Sequence, residues 1–339
     1  MKIGIHNHYK KYNSNNLIFD ESAYSIGNSL EFPAVLMRNK LAKLDINLST
    51  LDMHPLELFD KIIFFDMPDV SSIYFQTILS QKKTKLYLVV FESEIILKEN
   101  WDYENHKYFE KVYTWKDSLV DNIKYFKYYW PNTFDQKLNW KEKKTKLCAL
   151  MAGNKFNSDP RELYSERLKA INWFERNHPS DFDLFGFGWD KRHSNQRIFE
   201  KLLQFSVISK IFTKKHPCYK GSVDQKTEVL KNYKFSICFE NAKGIEGYIT
   251  EKIFDCFIAG SVPIYLGAPN INSFIPKGTF IDMREFSNYY ELYECISNMP
   301  KDEYNNYLNR ISLFLQSPGG KLFSSENFAE SIVNGVLED

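Results

Sequence analysis

The sequence predicts an α/β protein built from two parallel-sheet domains, and three of its features carry that reading. Short apolar runs alternate with segments of helical period along most of the 339 residues. Runs such as KIIFF and KLYLVVF are apolar on both faces, as strands are when helices cover both sides of a parallel sheet. A polar, basic stretch with no period, WPNTFDQKLNWKEKKTK, separates two such series.

In the first series, residues 2–6 read as a strand. Residues 29–44 read as a helix, with Phe32, Leu36, Met37, Leu41 and Leu44 close to one face. A short strand at 46–48, a buried strand at 61–65, a helix at 71–80 and a buried strand at 85–91 follow. Strands at 112–115 and 123–129 complete the half. The last of these holds IKYFKYYW, two lysines among five aromatics. It reads as a strand with one wet face or as a patch for peripheral contact with a membrane.

The second series starts with a strand at 147–152. Asp159 and Pro160 then suit the N-cap and first turn of a helix running to about residue 177. A strand at 182–185 ends in GFGW, either a close backbone approach to a ligand or a tight turn around a core tryptophan. Residues 196–212 read as an amphipathic helix and 223–232 as another. The alternation places a first domain at 1–130, a linker at 131–146, a second domain at 147–320 and a helical tail at 321–339, with helices at 302–315 and 326–337.

Lys and Arg total 44 against 43 Asp and Glu, so the net charge of +1 gives no general attraction to nucleic acid. The five cysteines form no CxxC pair, and Cys148, Cys238 and Cys256 lie in apolar patterns. They read as buried reduced thiols in a cytoplasmic protein. The start, MKIGIHNHYKKYNSN, has no apolar core of a signal peptide, and no run reaches the length of a membrane span.

The chemistry concentrates in KFSICFENAKGIEGYITEKIFDCFIAGSVPIYLG, residues 234–267. It reads as strand, polar loop, short helix and strand, with Thr250 as N-cap and Gly260 as the stop. Its loop leaves the carboxyl end of a strand, where open α/β sheets bind ligands. A helix N-terminus offers free N–H groups to a phosphate. Lys252 is a cation in that first turn, disfavoured there unless an anion arrives. The Glu251 carboxylate can accept from two ribose hydroxyls, and Tyr248 supplies a ring and a hydroxyl. The pattern reads as a nucleoside diphosphate site; the plainer alternative is a capped helix with solvated charges.

These residues also resemble a known family. FEN, GYITEKI-x-D and PIY-x-G-x-P, spanning Phe239, Glu240, Asn241, Gly247, Tyr248, Thr250, Glu251, Lys252, Ile253, Asp255, Pro263, Ile264, Tyr265, Gly267 and Pro269, resemble the signature of the α-1,3/α-1,4-fucosyltransferases, glycosyltransferase family ten. The resemblance runs from about residue 147 to 286. It implies a GT-B fold, with two Rossmann-like domains facing across a cleft. It also implies GDP-fucose as donor and inverting transfer to an acceptor oligosaccharide, by default an N-acetylglucosamine hydroxyl in a lactosamine-like unit. In that light the piece around 190–220 is an insertion.

Transfer from a nucleotide sugar needs a base, positive charge at the departing diphosphate, and alignment. The expected base is Glu92, which follows KLYLVVF and matches the family's glutamate; Glu94 is the alternative, because it stands where the family has a proline. Arg161 and Lys252 are expected to hold the diphosphate; Arg167 is the alternative arginine, two turns into the helix, where a surface ion pair is the plainer reading. Asn241, Tyr248 and Glu251, with Asn154 where the family has Ser-Asn, are expected to hold the nucleotide. With these cations no metal and no further cofactor is expected. Two other readings stand beside this one: another GDP-linked deoxysugar as donor, or a non-catalytic nucleotide-sugar or glycan-binding protein. Linkage and oligomeric state are not written in the sequence.

Overall fold

The strands of the described residues form two parallel sheets, one of six strands and one of five. The structure, a computed structural model, describes the chain apart from residues 21–31, 82, 135–137, 139, 141–142, 191–215 and 339. The helix expected at 196–212 and the start of that expected at 29–44 lie outside the described residues.

The first sheet uses β1 (Lys2–Asn7), β2 (Asn47–Thr50), β3 (Lys61–Phe65), β4 (Lys85–Val90), β5 (Lys111–Thr114) and β6 (Tyr125–Lys127), in the order β2-β1-β3-β4-β5-β6. Helices α1 (Phe32–Ala42) and α2 (Ile73–Ser80) connect its early strands. Ser72 starts α2 by accepting from the Phe75 N–H at 3.2 Å, which satisfies one of the free donors of the first turn. All five residues of KIIFF are buried, and Phe64 meets Phe75 and Phe109 edge to face.

The second sheet uses β7 (Lys146–Met151), β8 (Phe182–Phe185), β9 (Tyr233–Ile237), β10 (Val262–Tyr265) and β11 (Ile281–Asp282), in the order β11-β10-β9-β7-β8. Its helices are α3 (Tyr164–Asn177), α4 (Lys226–Leu230), α5 (Glu251–Ala259), α6 (Tyr289–Ser297) and α7 (Lys301–Gln316). A short turn α8 (Pro318–Lys321) leads to the last helix, α9 (Ser325–Leu337). Gly260, at φ +65°, ends α5; a Cβ there meets the Trp140 ring at 2.4 Å. Counted from its own first strand, each sheet runs 2-1-3-4-5, and the first sheet adds a sixth strand at the end of that order. The strand order therefore reverses between β1 and β3 in one sheet and between β7 and β9 in the other. The crevice at such a reversal is where doubly wound sheets bind ligands.

The described chain divides into two compact units. One takes residues 1–136, 245–251 and 315–339; the other takes 137–244 and 252–314. Helix α9 thus belongs with the first sheet. Its Phe328 packs on Phe65, Phe91 and Tyr128, and its last carbonyls, Gly335 O and Val336 O, accept from Lys111 Nζ at 2.8 Å and Lys61 Nζ at 2.5 Å. Cations at a helix C-terminus complement its dipole.

The structure corrects three local expectations. Helix α3 starts at Tyr164 and not at Asp159, because the Asp159 carboxylate is occupied by the Arg161 backbone N–H and guanidinium. The run IKYFKYYW contributes only Tyr125–Lys127 as strand, and Tyr128 and Trp130 are buried. Its lysines turn inward as well. Lys124 donates to Phe109 O, and Lys127 donates to Trp115 O and Asp117, while Ile123 stays exposed. Strand β11 and helix α6 were not anticipated: β11 is two residues long, and α6 follows a run of polar turns. Among the described residues no helix is long and apolar enough to cross a membrane.

Candidate active site

In the second unit, the carboxyl ends of β7 and β9 carry most of the expected donor residues. The loop after β7 and the loop after β9 are stitched together: Lys243 N–H donates to Arg161 O at 2.8 Å, and Leu163 N–H donates to Asn241 O at 3.0 Å. This pairing puts Arg161 and Asn241 side by side at the crevice. Arg161 is half exposed, and its Nε and Nη2 lie 3.0 and 2.8 Å from the two Asp159 oxygens. The guanidinium holds the Asp159 carboxyl down at about 2. Arg161 therefore precedes α3 in an aspartate-led turn and is not a cation in a helical first turn.

Arg167 was expected to pair at the surface if it did not bind the donor; it is buried instead. Its Nη2 donates to the carbonyls of Phe239 at 2.6 Å and Glu240 at 2.8 Å, and to Asn241 Oδ1 at 3.1 Å. It clamps the turn that ends β9. The sequence carried a signal for this: Arg167 falls on the stripe of Leu163, Ala170, Ile171 and Phe174, all buried. Asn241 is thereby oriented from below, with its side-chain oxygen committed to Arg167.

Glu240 is fully buried, and its carboxylate lies 3.4 Å from Lys252 Nζ. The cation in the first turn of α5 thus has a carboxylate beside it, and its side chain stays 23% exposed. Gly267 is required by this arrangement, since a Cβ there comes within 2.5 Å of Glu240 Cγ and of the Tyr265 hydroxyl. Burial, and then the Glu240 charge, push the Tyr265 phenol well up, so it stays a donor and acceptor; its oxygen accepts from Ala268 N–H at 3.0 Å.

Asn154 follows β7 and ties it to the turn after β8, donating from Nδ2 to Gly188 O at 3.0 Å. The GFGW turn resolves toward the tight-turn reading. Trp189 is 4% exposed and donates from Nε1 to Ala152 O at 2.7 Å, while Gly186 (φ +127°) has no room for a Cβ beside Ala152 O. Phe187 stands out of this turn, 61% exposed, on the backbone of Gly153.

Tyr248 and Glu251 belong to the segment 245–251, which clusters with the first unit. Tyr248 does not present its ring to a ligand. It is 1% exposed, with Trp115 at 4.8 Å and Trp130 at 6.2 Å between centroids. Local sequence gave no sign of this, because both tryptophans are more than a hundred residues away. Gly247, at φ +74°, lets the chain pass within 2.3 Å (Cβ to oxygen) of Trp115 O. Glu251 is the first residue of α5 and is part-exposed.

Glu92 lies just beyond β4, at the carboxyl edge of the first sheet, as expected. Its Oε1 accepts from the Tyr9 hydroxyl at 3.3 Å. Glu94 sits in a turn that closes from Leu97 and Ile96 N–H onto Ser93 O, and it pairs with Lys116 at 3.9 Å. The strand does not continue to it. The sequence reading missed Asp66, which follows β3. Asp66 Oδ1 accepts from the N–H groups of Phe91 at 2.6 Å and Glu92 at 3.0 Å, and from Asn100 Nδ2 at 2.6 Å. Burial raises the Asp66 carboxyl to about 6. His6, at the end of β1, is pushed down to about 4 by burial and then by His8, so it is neutral at pH 7.

Residues 185–312 match the C-terminal domain of glycosyltransferase family 10 (fucosyltransferase). The chain is 38% identical over 91 residues, 26% of its length, to an alpha-(1,3)-fucosyltransferase of Helicobacter pylori, covering 18% of that protein. It is 38% identical over 73 residues, 22% of its length, to an alpha-(1,4)-fucosyltransferase of Arabidopsis thaliana, again covering 18%. The matched stretches thus span under a fifth of these relatives. A solved alpha1,3-fucosyltransferase shares the fold over 100% of this chain and 90% of its own, with a TM-score of 0.55 and 17% identity. Anabaena HepE, solved with UDP and glucose, covers 100% and 99% with a TM-score of 0.55 and 10% identity. The two parallel sheets therefore have the GT-B fold of these solved structures, and residues 185–312 are similar to the C-terminal domain of glycosyltransferase family 10, the fucosyltransferases.

Proposed function

We propose that the protein transfers L-fucose from GDP-fucose to a hydroxyl of an acceptor oligosaccharide, with inversion at the sugar carbon. The observation that carries this reading is the built cationic edge at the β7/β9 reversal. There Arg161 stands on the loop beside the turn that Arg167 clamps, and Lys252 stands in the first turn of α5 with the buried Glu240 carboxylate beside it. A departing GDP gains negative charge as the bond from the sugar carbon to its phosphate oxygen breaks. Two cations and a helix N-terminus neutralise that charge without calling on a metal. Asn154 and Asn241 line the same edge, and Glu251 accepts from the ribose hydroxyls. The fucosyl group follows the names of the Helicobacter and Arabidopsis relatives, and GDP-fucose follows a solved alpha1,3-fucosyltransferase crystallised with it, 16% identical to this chain.

Glu92 takes the proton of the acceptor hydroxyl while that oxygen attacks the sugar carbon. It is supported in this role by its place at a sheet edge and by its contact with a hydroxyl, that of Tyr9. The acceptor class, an N-acetylglucosamine-containing glycan with α-1,3 linkage, follows the family. The test is release of the nucleoside diphosphate, GDP from GDP-fucose or GDP-mannose and UDP from UDP-galactose, with N-acetyllactosamine as acceptor and EDTA present. Turnover with GDP-fucose and acceptor is expected. Turnover only with UDP-galactose, or only after a divalent metal is restored, contradicts the reading.

A further inference from the structure

We propose that Asp66 and Asn100 form a buried bracket that positions Glu92, and that the Asp66 charge makes Glu92 the stronger base. The proposal rests on Glu92 being the base. Strand β4 ends at Val90, so no sheet ladder holds Glu92. Its backbone is instead held on both sides. The Glu92 N–H donates to Asp66 Oδ1 at 3.0 Å. The Glu92 carbonyl accepts from Asn100 Nδ2 at 3.0 Å and from Trp101 Nε1 at 3.0 Å.

The bracket is itself anchored. Asn100 Oδ1 accepts from Met67 N–H at 2.7 Å, and Asn100 O lies 2.8 Å from His106 Nε2. His106 Nδ1 lies 3.1 Å from the Tyr125 hydroxyl. The result is a continuous polar chain from β6 through to the base, with Asn100 fully buried and Asp66 4% exposed. Buried polar groups joined this way hold one geometry, and alignment within fractions of an ångström governs transfer rates.

Asp66 carries two costs at once: a buried charge and a left-handed backbone, φ +63°. Asparagine tolerates the same backbone as well as aspartate does. All three bonds that Asp66 accepts fall on one oxygen, Oδ1, which an amide oxygen can serve equally. Hydrogen bonding alone therefore does not call for a carboxylate here, whereas a negative charge held against the Glu92 N–H, present above about pH 6, raises that residue's affinity for a proton. The other groups facing this corner do not replace that charge. Tyr9 donates to Glu92 as a neutral phenol. Tyr128 donates to Val90 O at 2.7 Å and is kept neutral by burial, Asp66 and Glu92. Glu94 is matched by Lys116.

The test compares Glu92→Gln, Asp66→Asn and Asn100→Ala in turnover, pH profile and GDP-fucose affinity. With the base reading intact, Glu92→Gln loses turnover. Asp66→Asn is then expected to lower kcat roughly 10- to 100-fold with KM for the acceptor and donor affinity unchanged, and to move the acid limb of kcat to lower pH. Asn100→Ala is expected to lower kcat similarly without moving the limb; it decides the bracket even if Asp66→Asn fails to fold. Wild-type kcat in both variants, beside a dead Glu92→Gln, overturns the bracket and leaves the base standing. An unmoved acid limb in a folded Asp66→Asn overturns the role of the charge. Full turnover in Glu92→Gln overturns the base reading and the bracket with it.

Discussion

Tyr248 shows how far a single residue can be misread from its neighbours in sequence. Between Gly247 and Thr250 at a helix start, it looks like a ring offered to a nucleobase. In the structure Trp115 and Trp130 cover it, and it is a core residue of the first unit. Tyr248→Ala is therefore expected to cost about 3–5 kcal/mol of stability, read as a shift of the urea midpoint. If the variant keeps wild-type stability and loses only GDP-fucose affinity, the core assignment is wrong. Arg167 is the opposite case, a charge taken for surface that is built into the core. Charged side chains enter a core only when their donors are satisfied, and the three acceptors that satisfy Arg167 lie more than seventy residues on. The positions of Lys252 and Glu92 were legible because they follow from element boundaries alone. Asp66 was not, since an aspartate after a strand looks like an ordinary turn until its partners are known.

Asp66 also has a thermodynamic signature. Its carboxyl is raised from 3.8 to about 6 in the folded protein, so between those values the native state binds more protons than the unfolded one. Stability from this group is then present below pH 3.8, falls as pH rises through 6, and stays lost above it. The loss is about 3 kcal/mol at most. Asp66→Asn removes the dependence. The difference in unfolding free energy, variant minus wild type, is expected to grow between pH 4 and 6 in favour of the variant. A flat difference across that window contradicts the buried charge. Asp159, held at about 2 by Arg161, acts alike in wild type and variant and so cancels from the difference.

Among the elements, the buried strands and helix α5 were the easiest to read. Lys61–Phe65, Phe182–Phe185 and Glu251–Ala259 fall where their apolar patterns place them, because burial on both faces leaves a strand little freedom of register. Helix α3 was read too early because Asp-Pro is a strong start signal, and the Arg161 guanidinium claimed the aspartate. The strand-to-loop junction at β9 and β10 depends on one small residue. Gly267→Ala drives a methyl into Glu240 Cγ and is expected to cost about 1–3 kcal/mol. It is also expected to displace the partner of Lys252 and so weaken GDP-fucose binding, measured by calorimetry. Unchanged stability and affinity contradict the packing of Glu240 on that glycine.

At the scale of the whole molecule, the two sheets share one order over their first five strands, and that repetition was visible as two alternating series. The division of the chain between units was less visible. The first unit recruits residues 245–251 and 315–339, contacts that no local pattern announces. A fragment ending at residue 136 lacks Tyr248 beside Trp115 and Phe328 beside Phe91, both core contacts of that unit. It is expected to show no cooperative thermal transition, whereas the full chain does; a cooperative melt of the fragment contradicts the recruitment. The central claim concerns chemistry, with Glu92 as base and Lys252 in the donor grip. The measurement that tests it most directly is GDP-fucose affinity alongside fucosyl transfer for Glu92→Gln and Lys252→Ala. The account predicts that Glu92→Gln keeps donor affinity while transfer falls roughly 10²- to 10⁴-fold, and that Lys252→Ala loses donor affinity. Transfer persisting in Glu92→Gln, or donor affinity unchanged in Lys252→Ala, contradicts it.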